Sequence, residues 1–261
     1  CGFATGDGAY FRNLDGDIQV EREVTARTAA IFVETVLTGF SRMGAMTLVN
    51  FDVVAHDEAG AKVATLTTSF GFFMREAFAR QAGVKVEPAM RALADAPSAP
   101  DPLRDRGATL PGGRLAMLDR VDVFDPEGGP DGLGALRASQ EVAPGAWYFK
   151  AHFFQDPVQP GSLGLDALFQ AVGQMAVRKG LMADLRQPRL QSLAPGHRLR
   201  WRCRGQVTPE RRKVTACVIA RDVVATPEGV TLVADGTLWC DGLAIYDATG
   251  LALRVVDARG R

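Results

Sequence analysis

Residues 147–170 read WYFKAHFFQDPVQPGSLGLDALFQ, and this stretch decides the fold. Its second half opens the strongest helical pattern in the chain. Gly161-Ser162 offers a cap, and Leu165, Leu168, Phe169, Val172, Met175 and Ala176 then recur at helical spacing to about Lys179-Gly180. The polar residues Asp166, Gln170 and Gln174 stand at i, i+4 and i+8, forming one narrow stripe on an otherwise apolar cylinder. That stripe is either a wet outer face or a polar seam on a helix buried on most sides, with Asp166 turned into a cavity. Just before the helix, residues 146–154 (AWYFKAHFF) form an apolar run of strand length.

Working outward, strands are expected over 114–124 and 133–142 upstream of the helix, and over 198–207, 213–221, 230–241 and 244–246 downstream. This half reads as a sheet wrapped around one long helix. The N-terminal part is rich in β-branched and aromatic residues, with turn signals at 39–44 and at Asp57-Glu58-Ala59-Gly60. It reads as antiparallel strands over 18–25, 29–38, 45–56 and 61–74, followed by a short helix over 75–81 that ends at Gly83. Between the halves, residues 92–112 (ALADAPSAPDPLRDRGATLPG) concentrate Pro, Ala, Asp and Arg without an apolar period and read as a linker. The division is therefore 1–91, strands of a partial first unit; 92–112, linker; 113–261, a complete second unit. A weak echo between Arg22-Glu23-Val24-Thr25 and Gly205-Gln206-Val207-Thr208 supports two copies of one strand-rich unit. The first copy lacks a long helix, as though its front half lay upstream of Cys1.

Composition narrows the function. The 30 basic and 30 acidic side chains cancel, which argues against a nucleic-acid or membrane-surface binder, since both carry excess Lys and Arg. An apolar fraction of 47% with 23% charge is ordinary for a globular chain. No basic-then-apolar leader follows Cys1, and the most apolar stretch, 160–177, is too polar to span a bilayer, so a cytoplasmic protein is expected. Cys1, Cys203, Cys217 and Cys240 show no CxxC spacing and read as free thiols of a reducing compartment.

Three histidines limit the catalytic candidates. His56 stands at a hairpin end beside Asp57 and Glu58, and His197 opens a strand next to Arg198, both surface contexts. His152 sits among Phe149, Phe153 and Phe154, where a polar ring needs a partner; it is either a satisfied structural histidine, the reading that spacing alone favours, or a desolvated catalytic one. Other motifs fail. In Pro160-Gly161-Ser162-Leu163-Gly164 the first glycine of a nucleophile elbow is replaced by Pro160, leaving Ser162 as a helix cap. Gly132-Leu133-Gly134 lacks the third glycine of a dinucleotide loop, and no metal-ligand spacing surrounds the histidines, so neither a cofactor nor a metal is expected.

Taken as a whole, residues 147–170 resemble, without a gap, the active-site segment of the β-hydroxydecanoyl-acyl carrier protein dehydratase/isomerase family, whose pattern is close to W-[FY]-F-x-x-H-F-x-x-D-P-V-x-P-G-x-L-G-x-[DE]-A-x-x-Q. Ser69-Phe70-Gly71-Phe72-Phe73, with Ala77 and Gln81-Ala82-Gly83, resembles a segment that precedes this motif in dehydratase domains of polyunsaturated fatty acid synthases. The resemblance implies an α+β double hot dog: two curved antiparallel sheets side by side, here with the long helix only in the second unit. It implies dehydration of a β-hydroxyacyl thioester to the trans-2-enoyl thioester, with isomerisation to cis-3 in some relatives. The substrate would ride on the phosphopantetheine of an acyl carrier protein inside a fatty acid or polyketide megasynthase, as part of lipid biosynthesis.

Carried onto this sequence, His152 becomes the base for the α proton and Asp166 the acid for the departing hydroxyl, with Gln170 orienting the carboxyl group. Backbone N–H groups from Gly161 to Gly164 would face the enolate oxygen. Leu168, Phe169 and Val172, with Leu238, are expected to wall the acyl tunnel. Homodimeric relatives pair the histidine of one hot dog with the carboxylate of the other, whereas His152 and Asp166 share the second unit; a complete site is therefore expected to need an upstream segment or a second copy. The arginines at 198, 200, 202, 204, 211 and 212, with Lys213, form either a docking face for an acidic carrier or a solvated strand face. The alternatives are a hot dog thioesterase, an enoyl hydratase, or a non-catalytic hot dog that docks carrier proteins.

Overall fold

The computed structural model describes residues 9–258 apart from 45, 75, 77–80, 104–109, 227 and 228. Runs of β-branched and aromatic residues form β1 (Tyr10–Val20), β2 (Ile31–Met43), β3 (Met46–Asp57) and β4 (Lys62–Phe73), which pair antiparallel in the order β2-β3-β4-β1. Side chains alternate along each strand, and the register collects Phe11, Ile18, Phe51, Val53, Leu66 and Phe70 on one face and Arg12, Asp15, Asp17, Asp52 and Thr67 on the other. The sequence places the first of these strands at 18–25; the structure starts it at Tyr10, because the polar run Arg12 to Asp17 lies on the outer face and at a bulge between Asn13 and Asp15. The helix expected over 75–81 falls largely outside the described residues.

The second leaf comprises β5 (Asp101–Pro102), β6 (Arg120–Asp125), β7 (Ala135–Glu141), β8 (Pro188–Ser192), β9 (Arg198–Cys203), β10 (Lys213–Thr226), β11 (Gly229–Cys240) and β12 (Leu243–Asp257). Pairing of β1 with β9, from Asp15 opposite Arg202 to Gln19 opposite Arg198, joins the two leaves edge to edge. Among the described residues they make one twelve-stranded sheet in the order β2-β3-β4-β1-β9-β12-β11-β10-β7-β6-β5, with β8 also paired to β12. Strand β12 runs well past the expected end at 246. The turn-like Asp247-Ala248-Thr249-Gly250 is absorbed into it: Asp247 pairs with Arg202, and Gly250 takes a φ of 78° where a Cβ would lie 2.2 Å from the Arg198 carbonyl oxygen.

Helices α1 (Pro88–Asp95), α2 (Tyr148–Ala151) and α3 (Gly161–Arg178) complete the fold. Helix α3 lies on β7, β10, β11 and β12, where Leu168, Val172 and Met175 are wholly enclosed. Truncating any one of them would cost about 2–5 kcal/mol. Its end is a Schellman turn: Gly180, at φ 74°, donates to the Val177 carbonyl and Leu181 to that of Ala176. Its start differs from expectation. Pro160 occupies the N-cap position, so Ser162 falls inside the first turn, is exposed and caps nothing.

Two further expectations are corrected. Residues 146–154 contain the helical turn α2 rather than a strand. Adjacent strand residues point to opposite faces, whereas Tyr148 and Phe149 both enter the same core, as a helical turn permits. The stretch 92–112 is not a bare linker, since it includes the end of α1, strand β5 and the buried Leu110. Helix α1 covers Cys217, Ile219 and Trp239 on the sheet face opposite α3, and Arg137 donates to the carbonyls of Leu93, Ala94 and Ala96 at its end. An Ala- and Pro-rich composition masks the short period of Met90 and Leu93. Among the described residues, both helices longer than one turn, α1 and α3, pack on the second leaf. Strand β2 stays exposed along its length, Phe32, Val33, Val36 and Leu37 included.

Candidate active site

His152 follows α2, its backbone N–H bonded to the Tyr148 carbonyl. The imidazole stacks on Phe153 at 3.8 Å between centroids, and its Nδ1 lies 3.1 Å from the Val158 carbonyl oxygen. A carbonyl oxygen can only accept, so Nδ1 carries the proton and Nε2 the lone pair. Burial holds the His152 pKa below the ordinary histidine value, opposed by the Val158 hydrogen bond and reinforced by the Arg12 charge. The ring is thus neutral near pH 7, with a basic Nε2.

His152 lines a cavity of about 620 Å³ at the junction of the two leaves. From the second leaf come Phe153, Val158, Gln159, Gly161, Cys203 and Tyr246. The other wall belongs to the first leaf and includes Phe11, Arg12, Met43, Met46, Phe70 and Phe73. The leaves are latched here by Arg12, whose Nη1 and Nη2 reach Asp156 Oδ2 and Oδ1 at 2.5 and 2.9 Å, and by Phe11, edge-on to Phe153. Gly161 places the start of α3 in this wall; of the N–H groups expected to face the oxyanion, those of Leu163 and Gly164 donate instead to the Pro160 carbonyl at 3.0 and 3.4 Å, which leaves Gly161 and Ser162 for that role. Burial pushes the Cys203 thiol up to about 12, so it is no nucleophile at neutral pH. Among the described residues no group of His, Cys, Asp and Glu is arranged to hold a metal. Nor is any helix among them long and apolar enough to cross a membrane.

Sequence reasoning missed the first-leaf wall, because nothing local to Phe11 or Met43 indicates the distant segment it meets. The sequence Phe70-Gly71-Phe72-Phe73 was the available signal.

Asp166 is half-buried on α3, and burial raises its pKa despite the hydrogen bond from Gln170. Gln170 Nε2 donates to Asp166 Oδ2 at 2.7 Å and to the Leu115 carbonyl at 2.8 Å, while its Oε1 accepts from Met117 N–H at 3.0 Å. The amide is fully used and fixes the carboxyl orientation. The cavity that His152 lines does not include Asp166. Gly164 is a packing residue: a Cβ there would lie 2.2 Å from the Tyr246 ring. Leu168, Phe169 and Val172 are enclosed in the core between α3 and the sheet, as is Leu238, and none lines this cavity. Apolar cavity wall comes instead from aromatic and methionine side chains of the first leaf.

Of the basic cluster, the four arginines at 198, 200, 202 and 204 are paired across the strands. Arg198 and Arg200 both bind Asp17, Arg202 binds Asp247, and Arg204 Nη2 lies 3.9 Å from Asp15. The Arg198 hydrogen bond, with Arg200 beside it, holds the Asp17 carboxyl below its ordinary range. These four arginines and three aspartates form a cross-strand charge ladder.

Residues 110–249, which hold His152, Asp166 and all of α3, match the FabA-like domain family. The chain belongs to the FabA-like family. It is 32% identical to one of the subunits of the polyunsaturated fatty acid synthase of Thraustochytrium sp. (strain ATCC 26185 / S-3), an alignment that covers 95% of this chain and 18% of that protein. The FabA-like chain therefore spans under a fifth of that relative's length. Among solved structures, it is similar to a Mycobacterium tuberculosis protein described as having a double hot dog fold, with TM-score 0.52 and 13% identity over 93% of this chain and 75% of that one. A putative oleoyl thioesterase from Lactobacillus plantarum gives TM-score 0.51 at 11% identity over 95% and 77% of the two chains. The dehydratase domain of RzxB from Pseudomonas fluorescens gives 0.50 at 13% identity over 97% and 78%. Together these likenesses establish a double hot dog, which the edge-to-edge leaves and the cradled α3 exhibit.

Proposed function

We propose that this FabA-like chain dehydrates β-hydroxyacyl thioesters carried on acyl carrier protein, giving trans-2-enoyl thioesters within a fatty acid synthase. The observation that carries the reading is His152: a neutral imidazole in a cavity with an apolar wall, its Nδ1–H spent on Val158 and its Nε2 free to take a proton. In this scheme Nε2 removes the α proton. The developing oxyanion is met by backbone N–H at the start of α3, where the helix dipole is positive. The β-hydroxyl leaves as water once an acid supplies its proton.

Asp166, kept protonated more readily by burial, has the chemistry of that acid. It stands apart from the His152 cavity, so the reading assigns base and acid to sites completed across hot dog units. Among the described residues no carboxylate lines the His152 cavity, and in this reading the acid there comes from a further hot dog helix, supplied by a second copy or by sequence linked to this chain. The test is a series of β-hydroxyacyl pantetheine thioesters of increasing length, followed at the enoyl chromophore, with trans-2 and cis-3 products resolved. Free thiol release without enoyl formation would replace this reading with a thioesterase.

A further inference from the structure

Gln159 is 5% exposed, lines the His152 cavity, and carries a buried Oε1 with no hydrogen-bond partner among the described residues. Its backbone is pinned, the N–H donating to the Val207 carbonyl at 3.0 Å. An amide oxygen held away from water without a donor is destabilising. Gln159 lines the cavity while its Oε1 is closed to water, so a ligand in the cavity meets this acceptor once the amide turns toward it.

Placement identifies the donor. Gln159 follows Val158, whose carbonyl takes the His152 Nδ1–H, and precedes Gly161 by two residues, so it belongs to the part of the wall assigned to the reacting carbons. A β-hydroxyacyl thioester offers one donor there, the hydroxyl on the carbon next to the one deprotonated. The nearest amide N–H of a pantetheine arm lies beyond the sulfur and two methylenes. We propose that Gln159 Oε1 accepts a hydrogen bond from the substrate β-hydroxyl and so distinguishes the hydroxyacyl substrate from chains that lack that group, the enoyl product included. The inference rests on the dehydratase reading for the identity of the ligand. Sites built to bond a hydroxyl reject its deoxy analogue because the buried acceptor is left unpaired.

The experiment compares two pantetheine amides, one bearing a 3-hydroxyacyl chain and one the saturated chain of equal length, by calorimetry on the wild-type protein, Gln159→Leu and Gln159→Met. The amide linkage slows α-proton removal, and its extra N–H is common to both ligands. The wild type should bind the hydroxy ligand about tenfold more tightly, and both variants should lose that preference while binding the saturated ligand within about twofold of wild type. A wild type without preference overturns the proposal whether or not the variants fold. Variants that keep the preference, or that weaken both ligands equally, also overturn it, the latter by assigning Gln159 to the pantetheine arm. Hydroxyl preference lost at Gln159 in a protein that turns over no β-hydroxyacyl thioester would leave this assignment standing and refute the dehydratase reading.

Discussion

Replacing Gly164 with Ala tests the contact that sets α3 against the sheet. The new Cβ would stand 2.2 Å from one Tyr246 ring carbon, 2.9 Å from another and 3.1 Å from a Leu238 methyl, where ordinary contact begins at 3.4 Å. Relief requires separation of about 1.2 Å between helix and strand, and both partners are buried in a close-packed core. Overpacking of this size costs about 3 kcal/mol, offset by about 1 kcal/mol for Gly→Ala in a helix. The net of about 2 kcal/mol lowers the melting temperature of a chain this long by about 4–8 °C. The same shift moves Gly161 relative to His152, and a displacement near 1 Å costs about 100-fold in rate. Calorimetry and turnover, with Gly145→Ala as control because nothing lies within 4 Å of its added Cβ, measure both effects. A Gly164→Ala protein as stable and active as the control would mean that α3 does not meet Tyr246 as described.

Removing Arg12 leaves the half-buried Asp156 without its partner, at 14% and 15% side-chain exposure for the two, so Arg12→Ala should lose about 2 kcal/mol in chemical denaturation. The double variant Arg12→Gln with Asp156→Asn should recover part of that loss, and equal losses for single and double variants would contradict the latch. Depression of the His152 pKa makes the unfolded state bind more protons as pH falls below the ordinary histidine value. Stability should therefore decline on acidification through that window, and the His152→Gln protein should decline less. Asp166 has the opposite sign: its raised pKa costs stability above the ordinary aspartate value. Asp166→Asn should then be at least as stable as wild type at pH 7, with Gln170 still donating to the remaining oxygen, while losing dehydration; unchanged activity would remove Asp166 from the mechanism.

What the sequence revealed and concealed divides by range. The 3.6-residue period from Leu165 to Ala176 marks α3 because a helix buried on a sheet needs apolar side chains around most of its surface. The local pairing of Asp166 with Gln170 was legible for the same reason, one helical turn apart. Strand β12 was cut short because Asp247 and Gly250 carry turn chemistry locally, and their accommodation depends on Arg202 and Arg198 from β9. Likewise the sequence leaves the arginines around β9 as either a docking face or a solvated strand face, because the carboxylates that pair with them, Asp15 and Asp17, come from the distant β1. The cavity wall was the deepest omission, since Phe11 and Phe153 are remote in sequence and meet only through the β1–β9 junction.

Whether Nε2 of His152 takes the α proton decides the mechanism. The most direct measurement is the rate of trans-2-enoyl formation from a β-hydroxyacyl pantetheine thioester by wild type and His152→Gln, with circular dichroism and melting temperature recorded on both. The expected result is a folded variant whose rate falls by about 100- to 10,000-fold, the contribution of a positioned general base. A folded His152→Gln protein that forms the enoyl product at the wild-type rate would contradict it.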